Sequence, residues 1–128
     1  MSYGYQRTID QKFEDVDRKI RETLKERGFG ILTEIDVKAT LKKKLDVDFQ
    51  KYRILGACNP PFAHQALTTE KEIGLLLPCN VVLWENEDGS TTLSAVDATQ
   101  MLALSGRKEL DDLAGKVSNL LREAVDAV

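Results

Sequence analysis

Hydrophobic and polar residues recur along the chain at spacings that predict strands and helices in turn. A period of two from Tyr3 to Ile9 predicts a first strand, because successive side chains of a strand point to opposite faces. Spacings of three and four then predict a helix with Asp10 as its N-cap and Gly28 at its end. Its predicted core face is formed by Phe13, Val16, Ile20 and Leu24. Its predicted water face carries Asp17, Lys19, Arg21 and Lys25.

The next segment predicts a second strand and a short, lysine-rich helix. The strand covers residues 29–35, and the positions expected on one of its faces are Phe29, Ile31, Thr33 and Ile35. Asp36 is expected to cap the helix. The apolar side of that helix consists of Val37, Leu41 and Leu45. Its other side carries Lys38, Lys42, Lys43 and Lys44, a run that indicates either a solvated face or an anion-binding edge.

The second half of the chain predicts three more strands and a long final helix. Residues 52–58 form the third strand, which ends before Pro60 and Pro61 because proline cannot donate to a strand ladder. A short helix is predicted next from Phe62, Ala66 and Leu67. Residues 79–85 and 91–97 are expected to pair as a hairpin around the Asp88–Gly89 turn. The final helix is predicted from about Arg107 onward, with an apolar stripe of Leu110, Leu113, Val117, Leu120, Leu121 and Ala124.

The predicted order of elements is therefore β-α-β-(short α)-β-(short α)-β-β-α. Helices do not alternate regularly with strands, which argues against a doubly wound parallel sheet. We expect an α+β fold, in which two long helices cover one face of a mostly antiparallel, five-stranded sheet, as a single domain over residues 1–128. The other face must be wet, covered by the inserted short helices, or covered by a second subunit.

Composition excludes several functional classes without selecting one. The 128 residues and 14.3 kDa suit one domain, and the formal net charge of −3 argues against nucleic acid and anionic membranes as partners. Two cysteines are too few for a disulfide framework. Residues 1–7 lack the apolar run of a signal peptide, and the apolar stretch at 73–84 is too short for a membrane helix. We therefore expect a cytoplasmic protein.

Two segments, residues 56–61 and 73–79, each place a cysteine near a proline at the end of a predicted strand. One interpretation makes Cys58 and Cys79 small buried hydrophobes. A second makes them a redox or nucleophilic pair, with Cys58 attacking and Cys79 resolving. A third, metal binding, has only His64 to add to the two thiols, which is an incomplete zinc set, so we predict no metal.

Other candidate chemistry is sparse. His64, the only histidine, is either a base for a thiol or a surface residue. Asp97 ends the fifth predicted strand, where an acid more often caps the next turn than catalyses a reaction. The chain contains no phosphate-binding loop, no dinucleotide glycine fingerprint and no Gly-x-Ser-x-Gly motif. These observations predict no cofactor and weigh against an enzyme.

The two cysteine segments resemble those of the domain of unknown function 302 family. The resemblance rests on residues 56–60, Ala66–Leu67 and 73–79, and extends to Asp97, Met101 and nearly the whole chain. Ala98 departs from the proline expected after the aspartate. The resemblance implies a TATA-binding-protein-like fold and a bacterial or archaeal family with no established activity.

Three functional hypotheses follow. In the first, the protein is not an enzyme and binds a small molecule or a partner near the two cysteine loops. The candidate binding residues are Cys58, Asn59, Pro60, Pro78, Cys79, Asp97 and Met101. The second hypothesis is thiol-based redox or sulfur handling by Cys58 and Cys79. The third is a structural module that forms a homodimer through the free face of the sheet.

Overall fold

The computed structural model describes residues 2–128 and contains one antiparallel sheet. Its strands are β1 Gly4–Ile9, β2 Gly30–Asp36, β3 Tyr52–Cys58, β4 Cys79–Glu85 and β5 Thr91–Val96. They lie in the order β1-β5-β4-β3-β2, with every neighbouring pair antiparallel. The predicted α+β class and five-stranded antiparallel sheet are therefore confirmed.

Five helices connect or follow the strands. They are α1 Phe13–Glu26, α2 Val37–Leu45, α3 Pro60–Thr69, α4 Ala98–Ala103 and α5 Asp111–Asp126. Two short 3₁₀ helices lie at Lys71–Leu76 and Lys108–Leu110. The long helices α1 and α5 pack on the same face of the sheet, as expected.

The core lies between these two helices and the sheet. Alternate residues of the three central strands are buried against the helices, namely Leu55, Ala57, Val81, Leu83, Leu93 and Ala95. From α1 the predicted stripe of Phe13, Val16, Ile20 and Leu24 is buried against them. The period of two in the strands and the period of 3.6 in the helix thus meet in one apolar layer.

The remaining alternate residues form the open face of the sheet, on the side away from α1 and α5. The strand registers align them in rows. One row consists of Tyr52, Trp84, Thr92 and Thr8, and the next of Ile35, Ile54, Val82, Ser94 and Gln6. Within these two rows the residues on β2, β3 and β4 are largely apolar, and those on β5 and β1 are polar.

Three details of the first half differ from the sequence-based expectations. Asp10 is not the N-cap of α1; an Ile9–Gln11 backbone turn delays the helix, and Lys12 holds the cap position without a side-chain bond. Asp17 is 8% exposed and does not face water, because two arginines bind it. Leu45 is 66% exposed, so the expected apolar side of α2 is not buried along its length.

The second strand also departs from simple alternation. Ile31 pairs with Ala57 and Thr33 with Gly56, so Leu32 is an extra residue that forms a β-bulge. The bulge reverses the facing of the residues that follow it. Thr33 and Ile35 therefore do not share a face with Phe29 and Ile31, as the unbroken alternation predicted.

The end of the chain contains two more elements than expected. Helix α4 and a short 3₁₀ helix precede α5, which begins at Asp111 and not near Arg107. Gly106, with a φ of 71°, lies in the turn that separates α4 from the 3₁₀ helix.

Candidate functional site: an apolar cavity beside the two cysteines

A cavity of about 270 Å³ opens at the end of the sheet where β3 ends and β4 begins. Helices α3, α4 and α5 form its other walls. Its lining residues are Phe29, Leu32, Ala57, Cys58, Asn59, Phe62, Ala63, Ala66, Leu67, Leu77, Pro78, Cys79, Leu102, Leu113 and Val117. Four of the seven candidate binding residues, Cys58, Asn59, Pro78 and Cys79, are thus brought to one site.

The cysteine–proline segments place α3 along one side of the cavity. Pro60 and Pro61 occupy the first positions of α3, where the missing N–H groups cost no helical hydrogen bond. Asn59 holds the N-cap position and packs against Gly28, whose φ is 86°. A Cβ at residue 28 would lie 2.9 Å from the Asn59 amide nitrogen. Gly28 therefore both ends α1 and allows α3 to begin at the cavity.

The β2 side of the cavity depends on the bulge and on Gly56. A Cβ at residue 56 would lie 2.7 Å from Cγ of Pro78 and would overlap Oγ1 of Thr33. The absence of a side chain at Gly56 lets Thr33 and Pro78 approach the backbone of β3 from both neighbouring strands. Leu32, at the bulge, lines the cavity although it is 68% exposed, and so contributes to its mouth.

The lining is chemically uniform. It contains no charged side chain, and its polar side chains are the Asn59 amide and the two thiols. Phe29, Ala57, Ala66 and Leu113 are buried, so the inner wall consists of apolar side chains. Such a surface favours a ligand that needs few hydrogen bonds.

The two cysteines are free and lie in different surroundings. Cys79 is 7% exposed within the main core, whereas Cys58 is half-buried. Burial, together with the nearby Cys58, raises the pKa of the Cys79 thiol to about 11. At neutral pH Cys79 is therefore protonated, and a protonated thiol is a poor nucleophile.

The raised pKa of Cys79 predicts a loss of stability in alkaline solution. The unfolded thiol ionises near its ordinary value of 9.0, whereas the folded thiol stays protonated until about 11. Stability from this group is thus complete below pH 9 and is lost as the pH rises to 11, by about 2 kcal/mol at pH 11. Urea unfolding across this range should show the loss in the wild type but not in Cys79→Ala. An equal dependence of the free energy of unfolding on pH in both proteins would contradict the prediction.

Four of the predicted site residues lie outside the cavity. Pro60 is exposed at the start of α3, and His64 is exposed further along the same helix. Met101 is half-buried between the main core and a second apolar cluster. Among residues 2–128, no three His, Cys, Asp or Glu side chains are grouped so as to hold a metal ion. His64 therefore matches the interpretation as a surface residue.

Asp97, the fourth of these residues, is a structural cap. Its side chain accepts hydrogen bonds from Thr99, at the start of α4, and from Ser118 on α5. The hydrogen bonds from Thr99 and Ser118 hold the pKa of Asp97 below its ordinary value. Ala98, where a proline was expected, donates its N–H to Oγ of Ser118 at 2.9 Å. A proline there would lack this donor, so alanine permits a direct link to α5.

The part of the cavity wall formed by β2, α4 and α5 was not predicted from the sequence. Leu32, Leu102, Leu113 and Val117 come from three different elements and belong to no motif. The apolar spacing of α5 indicated only that Leu113 and Val117 face inward. Their shared position at one cavity follows from the packing of α5 over the end of β3.

An α+β domain with an antiparallel sheet, two long covering helices and an apolar cavity at one sheet end defines the structural class. The sequence model of the family described as "Domain of unknown function DUF302" matches residues 5–128. The chain therefore belongs to the DUF302 family, as the cysteine segments indicated.

A solved structure shows the same fold. It is described as the crystal structure of an uncharacterized conserved protein DUF302 from Bacillus stearothermophilus. The TM-score is 0.91 at 25% sequence identity, over 99% of this chain and 98% of that chain. No curated protein matches the chain. None of the helices within residues 2–128 is long and apolar enough to cross a membrane.

Proposed function

We propose that the protein binds a compact, uncharged and largely apolar small molecule in the cavity beside Cys58 and Cys79, without catalysing a reaction. The observation that carries this proposal is a cavity of about 270 Å³ with no charged residue in its wall. Such a concave, mainly apolar site is typical of small-molecule binding.

The cavity volume limits the size of the ligand. An apolar cavity of about 150 Å³ holds benzene, so a cavity of about 270 Å³ suits a bicyclic or short-chain molecule. Charged groups would lose their hydration inside it without gaining an ion pair. The ligand class is therefore neutral, with any polar group placed at the mouth near Asn59.

The thiol hypothesis draws less support from the same geometry. In the sheet Cys79 is paired with Ala57, the residue before Cys58. Consecutive residues of a strand point to opposite faces, so the Cys58 side chain leaves the strand on the face opposite to that of Cys79. The high pKa of Cys79 also disfavours its thiolate. For these reasons we propose binding in preference to thiol chemistry.

Binding can be tested with neutral and charged probes of similar size. We expect naphthalene and decan-1-ol to raise the thermal midpoint, and decylammonium and decanoate to have little effect. At a probe concentration one hundred times Kd, the free energy of unfolding should rise by about 2.7 kcal/mol. Calorimetric titration provides an independent Kd.

A cavity-filling variant locates the binding site. Ala63 is half-buried on α3 and lines the cavity, so Ala63→Phe should abolish the shift caused by either neutral probe. Ala103 is exposed on α4 outside the cavity, and Ala103→Phe should bind like the wild type. Equal binding by Ala63→Phe and the wild type, or no binding by the wild type, would contradict the proposal.

A further inference from the structure

The open face of the sheet carries a contiguous set of apolar side chains, which we call the apolar patch. It consists of Ile35, Phe49, Tyr52, Ile54, Val82 and Trp84. The registers place Ile35, Ile54 and Val82 side by side on three strands. The patch is therefore continuous across β2, β3 and β4.

Aromatic rings extend the patch toward the segment after α2. The rings of Tyr52 and Trp84 are stacked with centroids 5.7 Å apart, and the Phe49 ring lies 6.4 Å from that of Tyr52. Phe49 is 39% exposed and Ile35 is 47% exposed. Leu45 and Val47, which precede Phe49 in the chain, are also exposed. A soluble domain that leaves this much contiguous apolar surface uncovered needs a partner.

Charges on the two sides of the patch indicate what that partner is. Lys43 and Lys44 lie on α2, which follows the end of β2, and Glu87 and Asp88 lie in the turn after β4. All four are exposed at the same end of the sheet. In the part of the chain that the structure describes, none of them forms an ion pair. Asp46 and Asp48, which follow α2, both pair with Lys42, so Lys43 and Lys44 are the charges left unpaired on the β2 side and Glu87 and Asp88 those on the β4 side.

We propose that a second copy of the chain docks on the apolar patch, face to face, to form a symmetric dimer. A two-fold axis along β3 exchanges the β2 and β4 sides of the sheet while keeping its two ends in place. It therefore brings Lys43 and Lys44 of one copy toward Glu87 and Asp88 of the other. The patch is self-complementary in charge as well as in apolarity.

The area available limits the strength of the dimer. With the axis along β3, strands β2, β3 and β4 of one copy face β4, β3 and β2 of the other. Three strands about 4.8 Å apart, each about six residues long at about 3.3 Å per residue, give an overlap of roughly 290 Å². This is below the area of about 800 Å² per partner that a stable interface buries, so we expect a weak dimer that forms only at high concentration.

The first test is the oligomeric state. Sedimentation velocity over a wide concentration range should show a monomer–dimer equilibrium for the wild type. Trp84, the only tryptophan, lies within the patch, so its emission should shift to shorter wavelength as the dimer forms. A monomer at every concentration, including one whose patch binds lipid vesicles or another protein, would overturn the proposal.

Reversing the charges at the border of the patch distinguishes this dimer from non-specific apolar association. Lys43→Glu/Lys44→Glu should raise the dimer dissociation constant by about tenfold, because like charges then face each other. Adding Glu87→Lys to that variant should restore part of the affinity.

The matched control changes net charge equally at two exposed lysines of α1 and α5, as Lys25→Glu/Lys116→Glu, and should dimerise like the wild type. Equal weakening in the control, or no recovery in the triple variant, would overturn the proposed arrangement.

Discussion

Replacing Asp17 with alanine is expected to lower the free energy of unfolding by about 3 kcal/mol, because the change leaves two arginines without their shared buried partner. Asp17 accepts from Nε of Arg21 at 2.8 Å, and its other oxygen lies 3.1 Å from Nη1 of Arg53. Arg53 also binds Glu14 at 2.8 Å, and Arg21 binds Glu34 at 2.7 Å. Because these ion pairs remain, the expected loss lies at the lower end of the range for breaking a buried ion pair.

The network joins α1 to β2 and β3. The Arg53 guanidinium lies 4.9 Å from the Phe13 ring centroid, which places the charge against the edge of the core. Hydrogen bonds to Glu14 and Asp17 hold the pKa of Arg53 above its usual range. Because the arginines cannot shed their charge, loss of Asp17 is not relieved by deprotonation.

Asp15→Ala is the matched control for Asp17→Ala. Asp15 is on the same helix and binds Arg18 at 3.2 Å, but both side chains are largely exposed. Its loss should cost less than about 0.5 kcal/mol. Urea unfolding of both variants measures the difference. A similar, small effect of both substitutions would show that burial of Asp17 does not matter.

Gly56→Ala is expected to cost about 3 kcal/mol for a steric reason. The new methyl group would meet Oγ1 of Thr33, which can rotate, and the ring of Pro78, which cannot. Relief therefore requires β4 to move away from β3 at the cavity. Thermal unfolding gives the size of the effect, and we expect weaker binding of neutral probes by the same variant.

Two further variants identify the obstacle. Gly30 has no atom within 4 Å of its would-be Cβ, so Gly30→Ala should be neutral or slightly stabilising. Combining Gly56→Ala with Thr33→Ala removes one of the two clashes and should recover only part of the loss. Full recovery would assign the whole effect to Thr33 and exclude the contact with Pro78.

Periodicity predicted the fold well where each element buries one regular face. The stripe of α1 and the limits of β3 and β4 agree with the structure because their apolar spacing has one solution. At β2 the alternation predicted the wrong face for Thr33 and Ile35, because the bulge at Leu32 adds a residue without a distinctive sequence signal. Asp17 was misplaced because an acid on a helix is normally solvated, and its partner Arg53 is distant in sequence.

The candidate site was predicted in part. Cys58, Asn59, Pro78 and Cys79 lie at the end of β3 and the start of β4, so the pairing of these two strands is enough to bring them together. Asp97 was grouped with them by family resemblance alone, and it caps α4 elsewhere. The apolar wall from α4 and α5 depends on tertiary packing, which no local pattern encodes.

The strand order has a consequence for synthesis on the ribosome. β1 is translated before the other strands, yet within the sheet it pairs only with β5. Ile9 therefore cannot pair until Thr91 has been translated. Strands β2 to β5 instead pair with neighbours in sequence and can assemble as they emerge. During translation β1 thus remains unpaired until β5 emerges, which makes this early strand a natural target for chaperones that hold nascent chains.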